Sequence, residues 1–190
     1  FFNLSAYKDI SAIIINDVVH HLDYDLHMRL FTLIFNSLKP GGKFFLKEVD
    51  KDDFFDYRMT KFFDEKIYPD DRLCFRSKAD WLALFNRLGI QNVSVYKYFH
   101  PWQASRTIFS VNINNHFINP YNLSSDINQK LSNLNKTRIF ITGGSGFLGG
   151  YLLDNLTKNG LDGNDVEIVC LSRTIRKSEQ KNINFIYGDL

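Results

Sequence analysis

The sequence predicts an α/β chain built on parallel strands, and three observations carry that prediction. Short β-branched apolar runs such as Ala12-Ile-Ile-Ile-Asn16, Arg138-Ile-Phe-Ile-Thr142 and Val166-Glu-Ile-Val-Cys-Leu171 are bounded by polar residues. Strands covered on both faces of a sheet read this way, without alternation. Amphipathic helical patterns separate the strands. A glycine turn, Thr142-Gly-Gly-Ser-Gly-Phe-Leu-Gly149, stands between one such strand and one such helix, which is the order strand, turn, helix of a doubly wound sheet.

Composition narrows the function classes. Apolar residues make up 44% of the 190, enough for a core, and the net charge is +2. Basic residues are scattered among acids, so neither a nucleic-acid surface nor a membrane-attracted face is expected. No apolar run approaches the roughly 18 residues of a membrane span, and no signal-peptide pattern opens the chain. Cys74 and Cys170 are far apart, which suits reduced thiols and a cytoplasmic protein better than a disulfide framework. The expected partner is a small-molecule substrate, with a homodimer left open. The chain opens at Phe1 and stops at Leu190, directly after a third strand pattern of its second segment, and a fragment of a longer polypeptide is expected.

Taken in order, Ala12 to Asn16 is the first strand, and Asp17-Val-Val-His-His-Leu22 leads out of its carboxyl end. Leu26, Leu30, Phe31, Ile34, Phe35 and Leu38 recur at helical spacing, and Lys39-Pro-Gly-Gly42 stops that helix. Lys43 to Val49 is a second strand, and Phe54 to Lys66 reads as a helix rich in aromatic residues that pack in the core or in a lid. Ser77-Lys-Ala-Asp80 is a capping box that opens the helix carrying Trp81 and Phe85, and Gly89 closes it. Val93 to Phe99 and Arg106 to Ile113 are strands around His100-Pro-Trp102.

The series strand, His-His-Leu, helix, Leu38-Lys-Pro-Gly-Gly42, strand resembles the second half of a class I S-adenosylmethionine-dependent methyltransferase. The resemblance runs over about residues 5 to 113. It implies a partial Rossmann-like sheet closed by a hairpin, with S-adenosylmethionine as cofactor of the complete domain. It also places Asn16 and Asp17 where that family delivers polar residues to cofactor and substrate; as an alternative, Asp17 caps the turn that follows it. The glycine-rich loop of that family belongs upstream of Phe1. His20, His21, Asp23, Asp25 and His27 are not expected to bind a metal, because their spacing points alternate side chains apart and no cysteine is near. His20-His21 reads as a strand-to-helix loop with a candidate general base. Glu48 and Asp50 read as solvated loop acids.

Residues 114–136 are rich in Asn and Ser and read as an interdomain linker with a short helix around Ile127 to Leu134. The expected division is therefore a first domain over 1–113, a linker over 114–136 and a second domain over 137–190.

In the second segment, Gly143, Gly146 and Gly149 are spaced G-x-x-G-x-x-G. Glycine admits a sharp turn and a close phosphate, and the backbone N–H groups around Ser145 to Leu148, at the start of the helix, supply donors. That spacing, with Thr142 in front and Phe147-Leu148 inside, resembles the extended short-chain dehydrogenase/reductase family, the NAD-dependent epimerase/dehydratase group. The resemblance covers about the last 55 residues and implies the first βαβ part of an NAD(P)-binding Rossmann fold. It places Ser172 and Arg173 at the adenosine ribose and Asp189-Leu190 at the adenine. An acid at the end of the second strand would imply NAD; a guanidinium there pairs with a 2′-phosphate, so NADP is expected in preference to NAD.

The Tyr-x-x-x-Lys pair of that family does not occur after residue 150, and no catalytic residue is assigned. The expected whole is a fragment of a bifunctional enzyme. It combines methyl transfer with NAD(P)-dependent epimerase, dehydratase or reductase chemistry on a nucleotide-sugar or similar metabolite. Two alternatives stay open: a methyltransferase followed by the terminal thioester reductase of a polyketide or peptide synthetase, and a truncated nucleotide-binding remnant without turnover.

Overall fold

The computed structural model describes residues 9–70, 72–100, 103–112, 137–144, 147–159, 166–172 and 182–188. Strand β1 (Ile10–Asn16) leads through a short 3-10 turn (Val19–His21) into helix α1 (Tyr24–Ser37), and strand β2 (Leu38–Glu48) follows without a break. Helices α2 (Phe54–Ile67) and α3 (Lys78–Arg87) precede the hairpin strands β3 (Val93–His100) and β4 (Gln103–Asn112). Strand β5 (Thr137–Thr142), helix α4 (Phe147–Asn159) and strands β6 (Val166–Ser172) and β7 (Ile183–Tyr187) complete the chain. The expected linker and its helix lie outside the described residues.

The seven strands among the described residues form one mixed sheet in the order β3-β4-β2-β1-β5-β6-β7. Only β4 runs against its neighbours; the pairs β1–β2, β1–β5, β5–β6 and β6–β7 are parallel. The sequence reading expected two partial sheets, one for each segment. Instead β5 docks on β1, with Ala12, Ile13 and Ile14 facing Ile139, Phe140 and Ile141. The physical reason is that an unpaired β1 edge would expose both its hydrogen-bonding groups and two apolar faces.

Alternation along these strands sorts the core into two layers. On one face, Ile13, Ile15, Phe140, Val169 and Leu171 join Phe31, Ile34 and Phe35 of α1 and Trp81, Leu84 and Phe85 of α3. On the other, Ala12, Ile139, Ile141, Ile168 and Cys170 meet Leu153 and Leu156 of α4. Residues from both segments therefore contribute to each layer. Because both faces are covered, the strands read as continuous apolar runs.

The Lys39-Pro-Gly-Gly42 stretch, read as a helix stop, does end α1, but it lies inside β2. The register between β1 and β2 shifts there, from Ile10 opposite Leu38 to Ala12 opposite Lys43. The capping box forms as expected: the Ser77 hydroxyl accepts from the Asp80 N–H and the Asp80 carboxylate from the Ser77 N–H, each at 3.1 Å. The α2 aromatics depart from expectation. Phe54, Phe55, Phe62 and Phe63 are exposed rather than packed, and the buried residues of α2 are Asp56 and Thr60.

Candidate functional site

The connections fix where a ligand crevice can lie. From β1 the chain passes through α1 to β2 on one side, and from β5 it passes through α4 to β6 on the other. The strand order thus reverses between β1 and β5. In open α/β sheets the crevice for a ligand opens outside the carboxyl ends of the strands at such a reversal.

Asn16 and Thr142 end these two strands and are bonded to each other. The Asn16 backbone N–H donates to Thr142 Oγ1 at 3.2 Å, and its side-chain Nδ2 donates to the Thr142 carbonyl at 3.3 Å. Residues 126 positions apart in sequence are thus joined at the carboxyl ends of two neighbouring strands. Gly143 follows with φ +67°, a left-handed conformation that suits glycine. At Gly149, in the first turn of α4, a Cβ would overlap the Gly143 carbonyl and lie 2.6 Å from the Gly144 Cα. The helix can start this close to the strand only because glycine stands at position 149. Gly144, which the motif spacing passed over, is equally constrained, since a Cβ there would overlap Cys170 Sγ. Both cysteines are buried, and neither forms a disulfide.

The remaining expected residues divide. Ser172 ends β6, is buried, and its carbonyl accepts from the Gly188 N–H at 3.1 Å. Ser145, Gly146, Arg173, Asp189 and Leu190 lie outside the described residues, as do the side chains of Phe147 and Leu148. Asp17 has φ +44° and its carboxylate is held by Lys47 and by Arg106, the latter at 3.0 Å. Its side chain does not cap the turn.

Glu48 does that work from the end of β2. It accepts from the Val18 N–H at 3.1 Å and the Val19 N–H at 2.7 Å. Glu48, expected from the sequence as a solvated loop acid, is buried. Its second oxygen receives a bond from His20 Nδ1 at 2.7 Å, and His20 Nε2 donates to Asp64 of α2 at 3.1 Å. Burial alone would pull the His20 imidazole below its ordinary 6.5. The Glu48 charge and the bonds to Asp64 and Glu48 outweigh it and push the value up to about 10. Burial likewise opposes the Glu48 charge, yet His20 and the two N–H groups hold that carboxyl below its ordinary value. His20 is therefore an imidazolium near neutrality, unsuited to the general-base role considered for it. Nothing in the sequence linked Glu48 or Asp64 to His20; their convergence needs the β1–β2 pairing and the placement of α2.

His27 behaves in the opposite way. Its Nε2–H donates to the carbonyls of Val19 and Leu22 at 2.9 and 3.0 Å, and its Nδ1 accepts from Arg76 Nε at 2.9 Å. Burial and the Arg76 charge lower its pKa. Among the described residues, the donor atoms of His20, His21 and Asp64 lie within 4.8 Å of one another. No helix among the described residues is long and apolar enough to cross a membrane.

No protein-family model matches the chain, and no curated protein does. Solved structures match over a little more than half of it. The S-adenosylmethionine-dependent methyltransferase SibL is 12% identical over 57% of this chain and 32% of its own, with a TM-score of 0.46. PigF, solved with SAH, is 17% identical over 58% of this chain and 33% of its own, with a TM-score of 0.46. Human N-acetylserotonin methyltransferase in complex with SAM is 16% identical over 55% and 30%, with a TM-score of 0.42. The chain thus spans about a third of the length of these structures, and it is similar to them in the arrangement of its α/β elements.

Proposed function

We propose that this chain is part of an enzyme that holds an adenosine-containing cofactor at the carboxyl ends of β1 and β5. In this reading the segment over 1–113 is of S-adenosylmethionine-dependent methyltransferase type. The segment over 137–190 is of NAD(P)-dependent epimerase, dehydratase or reductase type, and 114–136 joins them. The substrate class is a nucleotide-sugar or similar small metabolite. The observation that carries the proposal is the Asn16–Thr142 clasp at the reversal of strand order, with the glycine turn directly beside it.

The residues suit a pyrophosphate better than a methionine group. The left-handed Gly143, the close seat of Gly149 and the unpaired N–H groups expected at the start of any helix form a cradle for an anion. A nicotinamide dinucleotide held there would supply hydride transfer. By contrast, the acid best placed to bind a ribose from β1, Asp17, already holds Lys47 and Arg106.

Titration of the full chain with NADPH, NADH and S-adenosylmethionine, each followed by calorimetry, tests this reading. Saturable NADPH binding that weakens at least tenfold in Gly149→Ala is expected. Tighter binding of NADH than of NADPH would remove the NADP preference argued from Arg173. No binding of any of the three would remove the proposal.

A further inference from the structure

We infer that His20, His21 and Asp64 form a site for a divalent cation of the zinc class. The inference is independent of the cofactor crevice and starts from the way α2 is turned. Asp56, Thr60 and Asp64 recur every fourth residue and so lie along one face of the helix. Asp56 and Thr60 are buried, while Phe54, Phe55, Phe62 and Phe63 occupy the exposed side. A helix that buries its polar stripe needs a polar object to bury it against.

For Asp64 that object is the turn after β1. The His20 ring is anchored by a bond of 2.7 Å between its Nδ1 and the buried Glu48, and its Nε2 points at Asp64. An imidazole anchored on a carboxylate through one nitrogen, with the other aimed outward, has the orientation that metal-binding histidines adopt. The two donors, His20 Nε2 and Asp64 Oδ2, are 3.1 Å apart. Tetrahedral ligands at bonds of about 2.0 Å stand roughly 3.3 Å apart. The donor of His21 lies within 4.8 Å of both, and a small rotation of its half-buried ring brings it to the same centre.

Charge and polarity point the same way. When the metal takes the place of the His20 proton, a divalent cation balances the two carboxylates, Glu48 and Asp64, one for one. Thr60, one turn before Asp64 on the same face, has a buried Oγ1 without a hydrogen-bond partner. A water on the fourth coordination position would give it one. The His21 ring is held against His20 and edge-on to Tyr68, at centroid distances of 4.4 and 5.1 Å, and a Glu48–His20–Asp64 ion pair alone leaves the Thr60 hydroxyl unaccounted for. Two imidazoles and one carboxylate without a thiolate suit Zn²⁺ or Co²⁺ rather than Ca²⁺ or Mg²⁺.

The test uses the full chain, free of any histidine tag and stripped with a chelator. It is titrated with Zn²⁺ alone by calorimetry, and with Co²⁺ alone by visible absorption. One equivalent per chain with a dissociation constant of about 10 μM or tighter is expected, with release of protons as the imidazolium gives way to the metal. His21→Ala and Asp64→Asn, both outside the core, should each weaken binding at least tenfold while the far-ultraviolet circular dichroism is unchanged. Asp23→Asn, on the exposed side of the same loop, should leave the affinity as it was. Absence of saturable binding at about 100 μM, or equal affinity in the His21 and Asp64 variants, overturns the site.

Discussion

Helix α2 carries five aromatic residues in 14 and α3 two in ten, yet the richer helix leaves most of its rings outside. In α3, Trp81 and Phe85 are buried against Phe31, Phe44 and Phe109, with ring centroids between 5.5 and 6.4 Å apart. In α2, Phe54 and Phe55 are 72% and 70% exposed, and Asp56, Thr60 and Asp64 face inward. Aromatic density therefore does not choose the inner face of a helix. α3 meets an apolar sheet face made by Phe44 and Phe109 and presents rings to it. α2 meets His20 at the carboxyl edge and presents the Asp64 carboxylate to it.

The largest expected effect is on the α3 side. Phe85 is fully buried and touches five other aromatic rings. Truncation removes both its transfer free energy and the packing of its neighbours, so Phe85→Ala should cost about 3–5 kcal/mol of stability. Urea unfolding measures it, and a loss under about 1 kcal/mol would mean that the ring cluster is not the centre of the core.

Helix α4 shows a third arrangement, set by backbone rather than side chains. Gly149→Ala would force its first turn away from the Gly143–Gly144 backbone. The expected cost is about 1–3 kcal/mol, the range for overpacking, and unlike Phe85→Ala it should also reduce binding at the glycine turn. Unchanged stability would mean that the turn yields freely and that the close seat of α4 is unimportant.

The α1–α3 contact adds a pH term. His27 lies stacked on Trp81 with ring centroids 5.4 Å apart and is neutral in the folded chain, its Nδ1 lone pair held by Arg76. Its folded pKa is lowered, so the unfolded chain takes up the proton first. The stabilisation is fully present above the unfolded value of about 6.5 and is lost as pH falls through the folded value. The urea midpoint should therefore fall on acidification below about pH 6.5, and His27→Gln should flatten that slope. His20 contributes little there, since it is protonated in the folded chain throughout and its unfolded form is largely protonated as well. A slope unchanged in the variant would assign the acid sensitivity to carboxylates.

Much of this arrangement was legible in the chain itself. The β-branched runs, the Ser77–Asp80 box and the strand–glycine–helix order are local patterns, and local energetics decide them. The joining of the two segments was not legible, because the pairing of Ala12–Ile14 with Ile139–Ile141 is a contact between two equally apolar edges with no sequence code for each other. Glu48 was misread for a related reason. Its neighbours Asp50, Lys51 and Asp52 are solvent-side residues, and only the parallel register of β2 on β1 puts its carboxylate beneath the turn at Val18 and Val19. The inward polar stripe of α2 was hidden by the louder aromatic pattern on its other side.

That stripe gives the smallest predicted effect and the sharpest form of the comparison. Phe62 and Phe63 are 56% and 51% exposed, so their rings lose little contact with protein when removed. Phe62→Ser and Phe63→Ser should each change stability by no more than about 0.5 kcal/mol, as substitutions away from buried features do. The same chemical change at Phe85 should unfold much of the chain. If Phe62→Ser instead costs 2 kcal/mol or more in urea unfolding, the aromatic face of α2 is covered in solution. The inner faces of α2 and α3 would then differ in partner rather than in polarity. A cost near zero leaves the polar face as the one that seats α2, through Asp64 on His20.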